Sequence, residues 1–399
     1  MHEDTVLIFI VLVVLGYGFF SKFLYRYNIS GPMVFTTIGI LLSPIFFGTD
    51  AIDLNSMSVQ LVAQIALILV LFSDASTLEF TKLKKEWKIP FRLLVIGLPI
   101  TIIFGTYVGV LFFPHIELAY IILMAMILTP TDAALGKSVV SDKNVPHSIR
   151  STINIESGLN DGIVFPLVIT IVTVIVGGLS LTSADDWLSY VMKVIVLGTI
   201  FGSLVGFLGA KFSLYAMSKN SMDNSYKNLI PIALAIFSYY LSEHFGGNGF
   251  IAAYFAGLFV GNFNKDSKER IENFAESEGE LLVGLSFLVF GLAFVPDSIA
   301  YWDMKTFLYA ILSLTVLRML PVYISLIGTK LDFSTKLFIG WFGPRGIASI
   351  LYVLIVVHKI GSIEGHETIY AVISLTILLS IFLHGFSANP LVKLKFKKD

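Results

Sequence analysis

The feature that most constrains this chain is a succession of apolar runs, each long enough to cross a lipid bilayer as a helix. A bilayer core about 30 Å thick requires roughly 20 apolar residues, and only helices or closed barrels satisfy every backbone group there. Apolar residues make up 56% of the 399-residue chain and charged residues only 14%. Soluble proteins average about 45–50% and about 25%. The sequence therefore predicts an all-α polytopic membrane protein.

On this template the chain divides into about 13 transmembrane helices. The second and ninth runs are short and contain glycine, and the fifth carries Pro130 in its middle. The predicted helix centres are residues 14, 40, 68, 101, 128, 166, 200, 235, 254, 287, 316, 347 and 378.

The positions of the basic residues predict the orientation of the chain in the membrane. Most of the 27 Lys and Arg residues fall in loops that follow odd-numbered helices, whereas the loops after even-numbered helices contain only Lys305 and Lys359. Basic loops stay on the cytoplasmic side. We therefore expect the N-terminus outside and the C-terminus in the cytoplasm.

The motif ESGLNDG, residues 156–162, places acidic side chains between two apolar runs. On a helix with 100° per residue, Glu156, Ser157, Asn160 and Asp161 share one arc. An ionised side chain at the bilayer centre costs at least about 2.5–3.5 kcal/mol, so this arc must face a protein interior or a water-filled cavity. The alternative is that these residues only hold helices together.

The preceding apolar run is interrupted by TPTD, residues 129–132. Proline removes a backbone donor and obstructs the helix behind it, so carbonyl groups near Leu128 and Thr129 are expected to lose their partners. Interrupted helices with an acid beside the break form ion sites in transporters. The alternative interpretation is an ordinary proline kink, and the presence of Asp132 two residues later argues against it.

Seven helices later, GPRG at residues 343–346 interrupts a second apolar run, and here the charge is Arg345. The two interruptions occupy the fifth position of each half of the chain, and the odd offset inverts the second half. The sequence therefore predicts one transmembrane transporter domain over residues 1–399, with two inverted six-helix repeats whose broken helices cross at the ion site. The approximate parts are a first repeat 1–178, a linking helix 187–213, a second repeat 226–390 and a basic cytoplasmic tail 391–399.

These parts indicate a chemistry of exchange. A monovalent cation prefers oxygen ligands, which Asp132, Asp161, the Ser157 hydroxyl and the Thr131 hydroxyl or carbonyl can supply. Cation and proton would compete for the same desolvated carboxylates. Asn160 would add hydrogen bonds without charge, and Glu156 would form a structural ion pair with Arg318.

Other polar residues have less definite roles. Asp74 ends an apolar run on the cytoplasmic side, where it either lines a funnel or caps a helix end. Five histidines fall near predicted helix ends and are expected at the interface, or as modulators of the pH response rather than metal ligands: His115, His244, His358, His366 and His384.

These motifs resemble those of NhaP-type monovalent cation/proton antiporters, the prokaryotic relatives of the sodium/proton exchangers. The resemblance covers nearly the whole chain. Many members have proline after the aspartate of TPTD, where this chain has Ala133, so unwinding there depends on Pro130. The matching segments are TPTD at 129–132, ESGLND at 156–161, the arginine of LTVLRM at 318, GPRG at 343–346, LFSDA at 71–75 and GFIAAYFAGLFVGN at 249–262.

The resemblance implies roles for these positions. It implies that Asp132 and Asp161 bind the ion, with Thr131, Ser157 and Asp74 around them, and that Glu156 pairs with Arg318. An Asn-Asp pair at 160–161 implies electroneutral exchange of one cation for one proton. The resemblance also implies a homodimer, elevator-type alternating access and the prokaryotic plasma membrane.

The predicted function is secondary-active exchange of Na⁺ or Li⁺ for H⁺, in a protein that is a transporter and not an enzyme. We expect no cofactor and no nucleic-acid partner, only the ions and membrane lipid. A K⁺/H⁺ antiporter is the main alternative, because ligand chemistry alone does not set the cavity size. Less favoured are a sodium-coupled organic anion symporter and an intramembrane aspartyl protease, whose GxGD motif is not found around Asp132 or Asp161.

Overall fold

A computed structural model describes residues 3–43, 57–81, 86–132, 135–176, 184–264, 271, 279–360 and 366–396. Helices are the regular elements throughout these ranges, which confirms the predicted all-α class. In the first half the helices are α1 (Glu3–Arg26), α2 (Gly31–Leu42), α3 (Met57–Thr77), α4 (Lys88–Arg92), α5 (Leu98–Phe112), α6 (Leu118–Ile127), α7 (Lys137–Val140) and α8 (His147–Ile175). They continue with α9 (Ala184–Ser218), α10 (Asn224–His244), α11 (Gly249–Phe263), α12 (Glu280–Val289), α13 (Val295–Ile299), α14 (Met304–Leu314), α15 (Val316–Ser325), α16 (Phe333–Trp341), α17 (Ile347–Ile360) and α18 (Glu367–Phe396).

Many of these helices are apolar enough to lie in a membrane. Shorter apolar helices of 10–17 residues accompany the long ones, as expected where a membrane helix is interrupted. The protein is therefore a multi-pass membrane protein, while the number of membrane crossings and the inverted repeat stay predictions. Six segments have the length and composition of a complete crossing: Lys88–Phe112, His147–Ile175, Met192–Ser218, Glu280–Ile299, Met304–Ser325 and Glu367–Phe396.

Two of the long segments contain a turn of π-helix that is not apparent from the sequence. The π turns are Leu93–Gly97 and Phe290–Phe294. Pro99 follows the first and Pro296 follows the second, each at the start of the next α-helical piece. Because proline has no N–H and crowds the carbonyl four residues earlier, a widened turn lets the helix continue without a sharp kink.

The chain divides into two compact units. Unit 1 comprises Met1–Gln60, Ile89–Ser157 and Leu281–Asp399, and unit 2 comprises Leu61–Lys88 and Gly158–Glu280. Helix α8 begins in unit 1 and ends in unit 2. Each unit contains segments from both halves of the sequence. The boundaries of the compact units therefore differ from those of the predicted repeats.

In unit 1, α2 packs directly on the second π turn. A Cβ atom at Gly39 would lie 2.3 Å from the carbonyl oxygen of Leu288, and one at Gly291 would lie 2.3 Å from that of Thr36. Real Cβ atoms do not approach carbonyl oxygens so closely, so both positions require glycine. The two backbones therefore touch without intervening side chains, as in small-residue packing between membrane helices.

In unit 2, α11 has a backbone contact on each of two sides. On one side, a Cβ at Gly202 of α9 would lie 2.2 Å from the carbonyl oxygen of Ala252. On the other side, a Cβ at Gly257 would lie 2.0 Å from the carbonyl oxygen of Phe72 in α3. The same spacing of four residues repeats along both contacts, at Gly198 and Gly206 in α9 and at Gly261 in α11. Small residues at every fourth position thus bind α9, α11 and α3 together.

Candidate functional site

The first interruption lies after α6. The helix ends at Ile127, and residues 128–132 are not helical. Thr129, Thr131 and Asp132 are all buried, at 3–4% exposure. Ala133, where the sequence departs from the related pattern, lies outside the described residues. The predicted break at Pro130 is therefore present, and it ends on a buried acid.

The second interruption lies between α16 and α17, where residues 342–346 are not helical. Its two glycines allow close approach. A Cβ at Gly346 would lie 1.9 Å from Oδ2 of Asp132, and one at Gly343 would lie 2.6 Å from Nε of Arg318. Glycine at these positions lets a carboxylate and a guanidinium lie directly against the backbone. Both charged partners belong to unit 1, like the break itself.

The two interruptions are hydrogen-bonded to each other within unit 1. The N–H of Asp132 donates to the carbonyl oxygen of Pro344 at 2.8 Å, and the N–H of Ile347 donates to Oδ2 of Asp132 at 2.6 Å. Arg345 donates from Nη1 to the carbonyl oxygens of Thr129 at 2.6 Å and of Pro130 at 3.0 Å. The carbonyl groups that the first break frees are therefore bonded by Arg345. The carbonyl of Thr129, for which the sequence predicts the loss of a helical partner, is thus bonded by a side chain of the second interruption.

Ser157 and Thr131 also meet. The Ser157 hydroxyl donates to the carbonyl oxygen of Thr131 at 2.6 Å, and both residues are buried. This bond joins the first interruption to helix α8. The Ser157 oxygen keeps lone pairs that can still face a cation.

Glu156 lies one residue before Ser157, and its carboxylate is paired. Nη1 of Arg318 lies 2.6 Å from Oε1 of Glu156, and the two side chains are only 5% and 4% exposed. Arg318 stands near the start of α15, immediately after a helix break at Thr315. Because the same guanidinium touches Gly343, the ion pair supports the second interruption as well as α8. Removing one partner would leave an uncompensated buried charge.

Unit 2 holds the remaining polar residues of the predicted site. Asn160 and Asp161 lie on α8 and are buried, at 2% and 4% exposure. Asp74 lies in the last turn of α3 and is half-buried. The helix α8 continues past Pro166 without interruption, so its polar residues keep the regular helical spacing that the sequence analysis assumes.

Unit 2 also contains a buried tyrosine to which the sequence assigns no role. Tyr254 on α11 is 3% exposed, and its hydroxyl makes no hydrogen bond to the described residues. Its ring packs on Gly162, where a Cβ would lie 3.3 Å from the ring carbons. A buried hydroxyl beside the residue that follows Asp161 offers one more oxygen to an ion. The motif GFIAAYFAGLFVGN contains it, but its apolar composition gives no reason to choose this tyrosine.

The histidines occupy different environments. His115 and His244 are exposed, and His366 stacks on Tyr120 with ring centroids 3.7 Å apart. The side chain of His358 lies outside the described residues. His384, by contrast, is buried, at 1% exposure. Helix α18 extends to Phe396, which moves His384 well inside it.

Two interrupted helices that bond to each other around a buried carboxylate form the arrangement found in secondary transporters. The sodium/hydrogen exchanger transmembrane family model matches residues 8–394, and this chain belongs to that family. The resemblance read from the motifs is thereby confirmed. The proteins it resembles are named as ion antiporters, which are secondary transporters and not enzymes.

Individual relatives are distant but cover the chain well. This chain is 26% identical over 366 residues to the K(+)/H(+) antiporter NhaP of Alkalimonas amylolytica, and the alignment covers 90% of this chain and 62% of the relative. It is 23% identical over 394 residues to a probable Na(+)/H(+) antiporter of Schizosaccharomyces pombe, covering 88% and 51%. The chain thus spans between about half and two thirds of the length of these relatives.

The solved structures show the same fold. The sodium proton antiporter MjNhaP1 from Methanocaldococcus jannaschii at pH 8 superposes with a TM-score of 0.78 and 21% sequence identity. The match covers 100% of both chains. The arrangement of helices is therefore that of a known antiporter.

Proposed function

We propose that this protein exchanges Na⁺ or Li⁺ for H⁺ across the prokaryotic plasma membrane. The observation that carries the proposal is the buried carboxylate of Asp132, which accepts a hydrogen bond from the N–H of Ile347 in the second interruption. A carboxylate at this depth is costly as a bare anion, so it favours states in which it carries either a proton or a cation. Two ions that occupy the same oxygens in turn are exchanged.

Asp161 is the second carboxylate of the proposed exchange. It is buried on α8, four residues after Ser157, whose hydroxyl is bonded to Thr131. We propose that Asp132 and Asp161 bind the ion with Thr131, Ser157 and Asn160, and that Asp74 contributes from α3. Glu156 is already neutralised by Arg318, so it is assigned to structure.

With one aspartate in the Asn160–Asp161 pair, we propose that exchange is electroneutral, one cation for one proton. Alternating access of the elevator type would carry the site across the membrane. The excess of basic residues in alternate loops supports an outer N-terminus and a cytoplasmic C-terminus. The partners proposed are the two ions, surrounding lipid and a second copy of the chain.

Potassium is a second candidate cation. The relative at 26% identity is named a K(+)/H(+) antiporter, and the solved antiporter of the same fold is named for sodium. Both ions accept the carboxylate and hydroxyl oxygens that this chain offers. The choice between them therefore depends on cavity size, and transport has to decide it.

The test is exchange in sealed liposomes that contain the purified protein and an internal pH dye. With a proton gradient imposed and the voltage clamped at zero, Na⁺, Li⁺ and K⁺ are added outside in turn, with Asp161→Asn as the inactive control. Dissipation by Na⁺ or Li⁺ alone supports the proposal. Equal dissipation by K⁺ moves the role to potassium exchange, and no response to any cation favours the organic anion symporter.

A further inference from the structure

Helix α18 contacts the second interruption through polar side chains for which the proposed exchange has no use. The indole Nε1–H of Trp341 donates to the Ser387 hydroxyl at 2.9 Å. Nε2 of His384 lies 2.9 Å from the carbonyl oxygen of Trp341, and the backbone N–H of Arg345 donates to the Ser380 hydroxyl at 2.7 Å. All of these residues belong to unit 1. The two ends of the break are thus bonded to one helix.

The neighbours of His384 fit the tautomer of the neutral ring that carries hydrogen on Nε2. A carbonyl oxygen only accepts, so the bond to Trp341 requires hydrogen on Nε2. The Ser380 hydroxyl already accepts from Arg345, and its own proton points to Nδ1 of His384 at 3.1 Å. Nδ1 also lies 3.0 Å from the carbonyl oxygen of Ser380, which offers it no proton. In the neutral imidazole with hydrogen on Nε2, the ring therefore donates to the Trp341 carbonyl and accepts from the Ser380 hydroxyl.

The backbone groups that bond to His384 and Ser380 lie at the interruption of the helix. Trp341 is the last residue of α16, and Arg345 lies two residues before α17. The carbonyl of Trp341 and the N–H of Arg345 are therefore backbone groups at the edges of the break, where the regular helical bonds stop. Arg345 and His384 are both buried, at 1% exposure, and an unmade hydrogen bond there costs the full desolvation of the group. Trp341 is half-buried, and its carbonyl oxygen also accepts from the N–H of Gly343 at 2.8 Å.

The same short segment also contacts Asp132. The carbonyl oxygen of Pro344 accepts from the N–H of Asp132, and Ile347 donates to its carboxylate. Residues 342–346 are therefore held from one side by the aspartate and from the other by α18. A shift of the Trp341 or Arg345 backbone would move the groups that fix this carboxylate.

We infer that His384 is a positioning residue for exchange: its neutral ring spans the edges of the second interruption and thereby fixes the backbone that orients Asp132. It touches no transported ion. The inference rests on the proposed function, because it takes Asp132 as an ion-binding carboxylate. An apolar side chain of similar size would fill the same volume but could not bridge Trp341 and Ser380.

The experiment compares the KM for the transported cation with the maximal rate per folded protein in liposomes. His384→Leu and Ser380→Ala each remove a bridging bond and are expected to raise KM roughly fivefold, the equivalent of about one net hydrogen bond. His384→Gln places an amide N–H near the Nε2 position and is expected to return KM to within about twofold of the wild type. This difference is smaller than the net contribution of one hydrogen bond. The control is Thr376→Val on the same helix, whose hydroxyl, among the described residues, bonds to the carbonyl of Val372 in its own helix.

The possible results distinguish a failure of the positioning role of His384 from a failure of the proposed exchange. An unchanged KM in both His384→Leu and Ser380→Ala, with only less folded protein, overturns the positioning role. A failure of His384→Gln to restore KM also overturns it. Should His384→Leu not fold, Ser380→Ala and His384→Gln still decide the question. A wild-type protein that moves no cation in exchange for protons defeats the proposed function instead.

Discussion

The guanidinium of Arg345 donates from Nη1 to the carbonyl oxygen of Thr129 at 2.6 Å, so a fixed positive charge lies against the first interruption. The carbonyl end of a helix carries a partial negative charge, and α6 ends at Ile127, just before this contact. Arg345 is 1% exposed, so its own charge is stabilised by these carbonyl groups rather than by water. Arg345 and the carbonyl groups of the first interruption therefore stabilise one another.

Replacing Arg345 with glutamine is expected to lower the free energy of unfolding by about 2–4 kcal/mol, because two buried carbonyl groups lose a charged donor. Thermal unfolding of the purified protein in detergent measures the change. Arg150→Gln is the matched control, since Arg150 is half-buried and its Nε donates to a single carbonyl, that of Val145. Equal midpoints for the two variants would contradict the role given to Arg345.

Breaking the Glu156–Arg318 pair from one side only is expected to cost about 3–5 kcal/mol, because each single variant strands a buried charge. Glu156→Leu combined with Arg318→Met removes both charges and is expected to cost clearly less than the sum of the single changes. The measurement is a double-mutant cycle on unfolding in detergent. Additive costs would show that the 2.6 Å contact contributes no coupling.

Asp132→Asn and Asp161→Asn are each expected to reduce cation-dependent proton movement in liposomes to the level of empty liposomes. The amide keeps the size of the side chain but can neither release a proton nor neutralise a cation. Both variants should elute as folded protein in size-exclusion chromatography. Full exchange by either variant would contradict the proposal that cation and proton bind the same carboxylates.

Gly346→Ala is expected to slow exchange at least tenfold while the protein still folds. The added Cβ would lie 1.9 Å from Oδ2 of Asp132, so the carboxylate has to move and lose its bond to Ile347. Gly18→Ala in α1 is the control, because nothing lies within 4 Å of that position and alanine favours helix by about 1 kcal/mol. Exchange rates per folded protein compare the two; equal rates would show that Asp132 needs no fixed orientation.

Asp303 caps the N-terminus of α14 by accepting from the N–H of Thr306 at 2.7 Å. This backbone bond, with a second from the Thr306 hydroxyl, lowers the pKa of the carboxyl below its ordinary value of 3.8. Because the pKa is lower in the folded state, the stabilisation is present above the unfolded value and is lost as the pH falls through the folded one.

Asp303→Ala is therefore expected to cost about 1 kcal/mol at neutral pH, and the cost should shrink below about pH 4. Asp303→Asn keeps a capping oxygen without a charge, so its stability should lack this acid dependence. Thermal midpoints of the three proteins between pH 3 and 7 provide the comparison. A cost for Asp303→Ala that stays constant down to pH 3 would contradict the assignment.

Much of this architecture could be predicted from the sequence, because each feature leaves a strong local signal. Apolar runs of membrane length predict helices wherever they occur, and proline or paired glycines mark both interruptions. Glu156 and Arg318 are charges in apolar runs, and such charges need partners. The structure pairs them directly.

What the sequence could not provide concerns contacts between distant segments. Nothing near Thr129 indicates that its carbonyl is taken by an arginine 216 positions later. The sequence places His384 near a helix end, yet α18 continues through Pro390 to Phe396, and His384 is buried well inside it. Tyr254 looks like any aromatic residue of an apolar helix, and what distinguishes it is a buried hydroxyl with no hydrogen bond to the part of the chain that the structure describes.

The small-residue contacts along α11 restrict how unit 2 can change. Where Gly202 meets Ala252 and Gly257 meets Phe72, main chain rests on main chain, with no side chain between that could swing aside. Sliding or rolling of α9 or α3 along α11 would drive carbonyl oxygens into Cα atoms. Any step of a transport cycle must therefore leave this three-helix contact intact, so these helices change position only as a solid body.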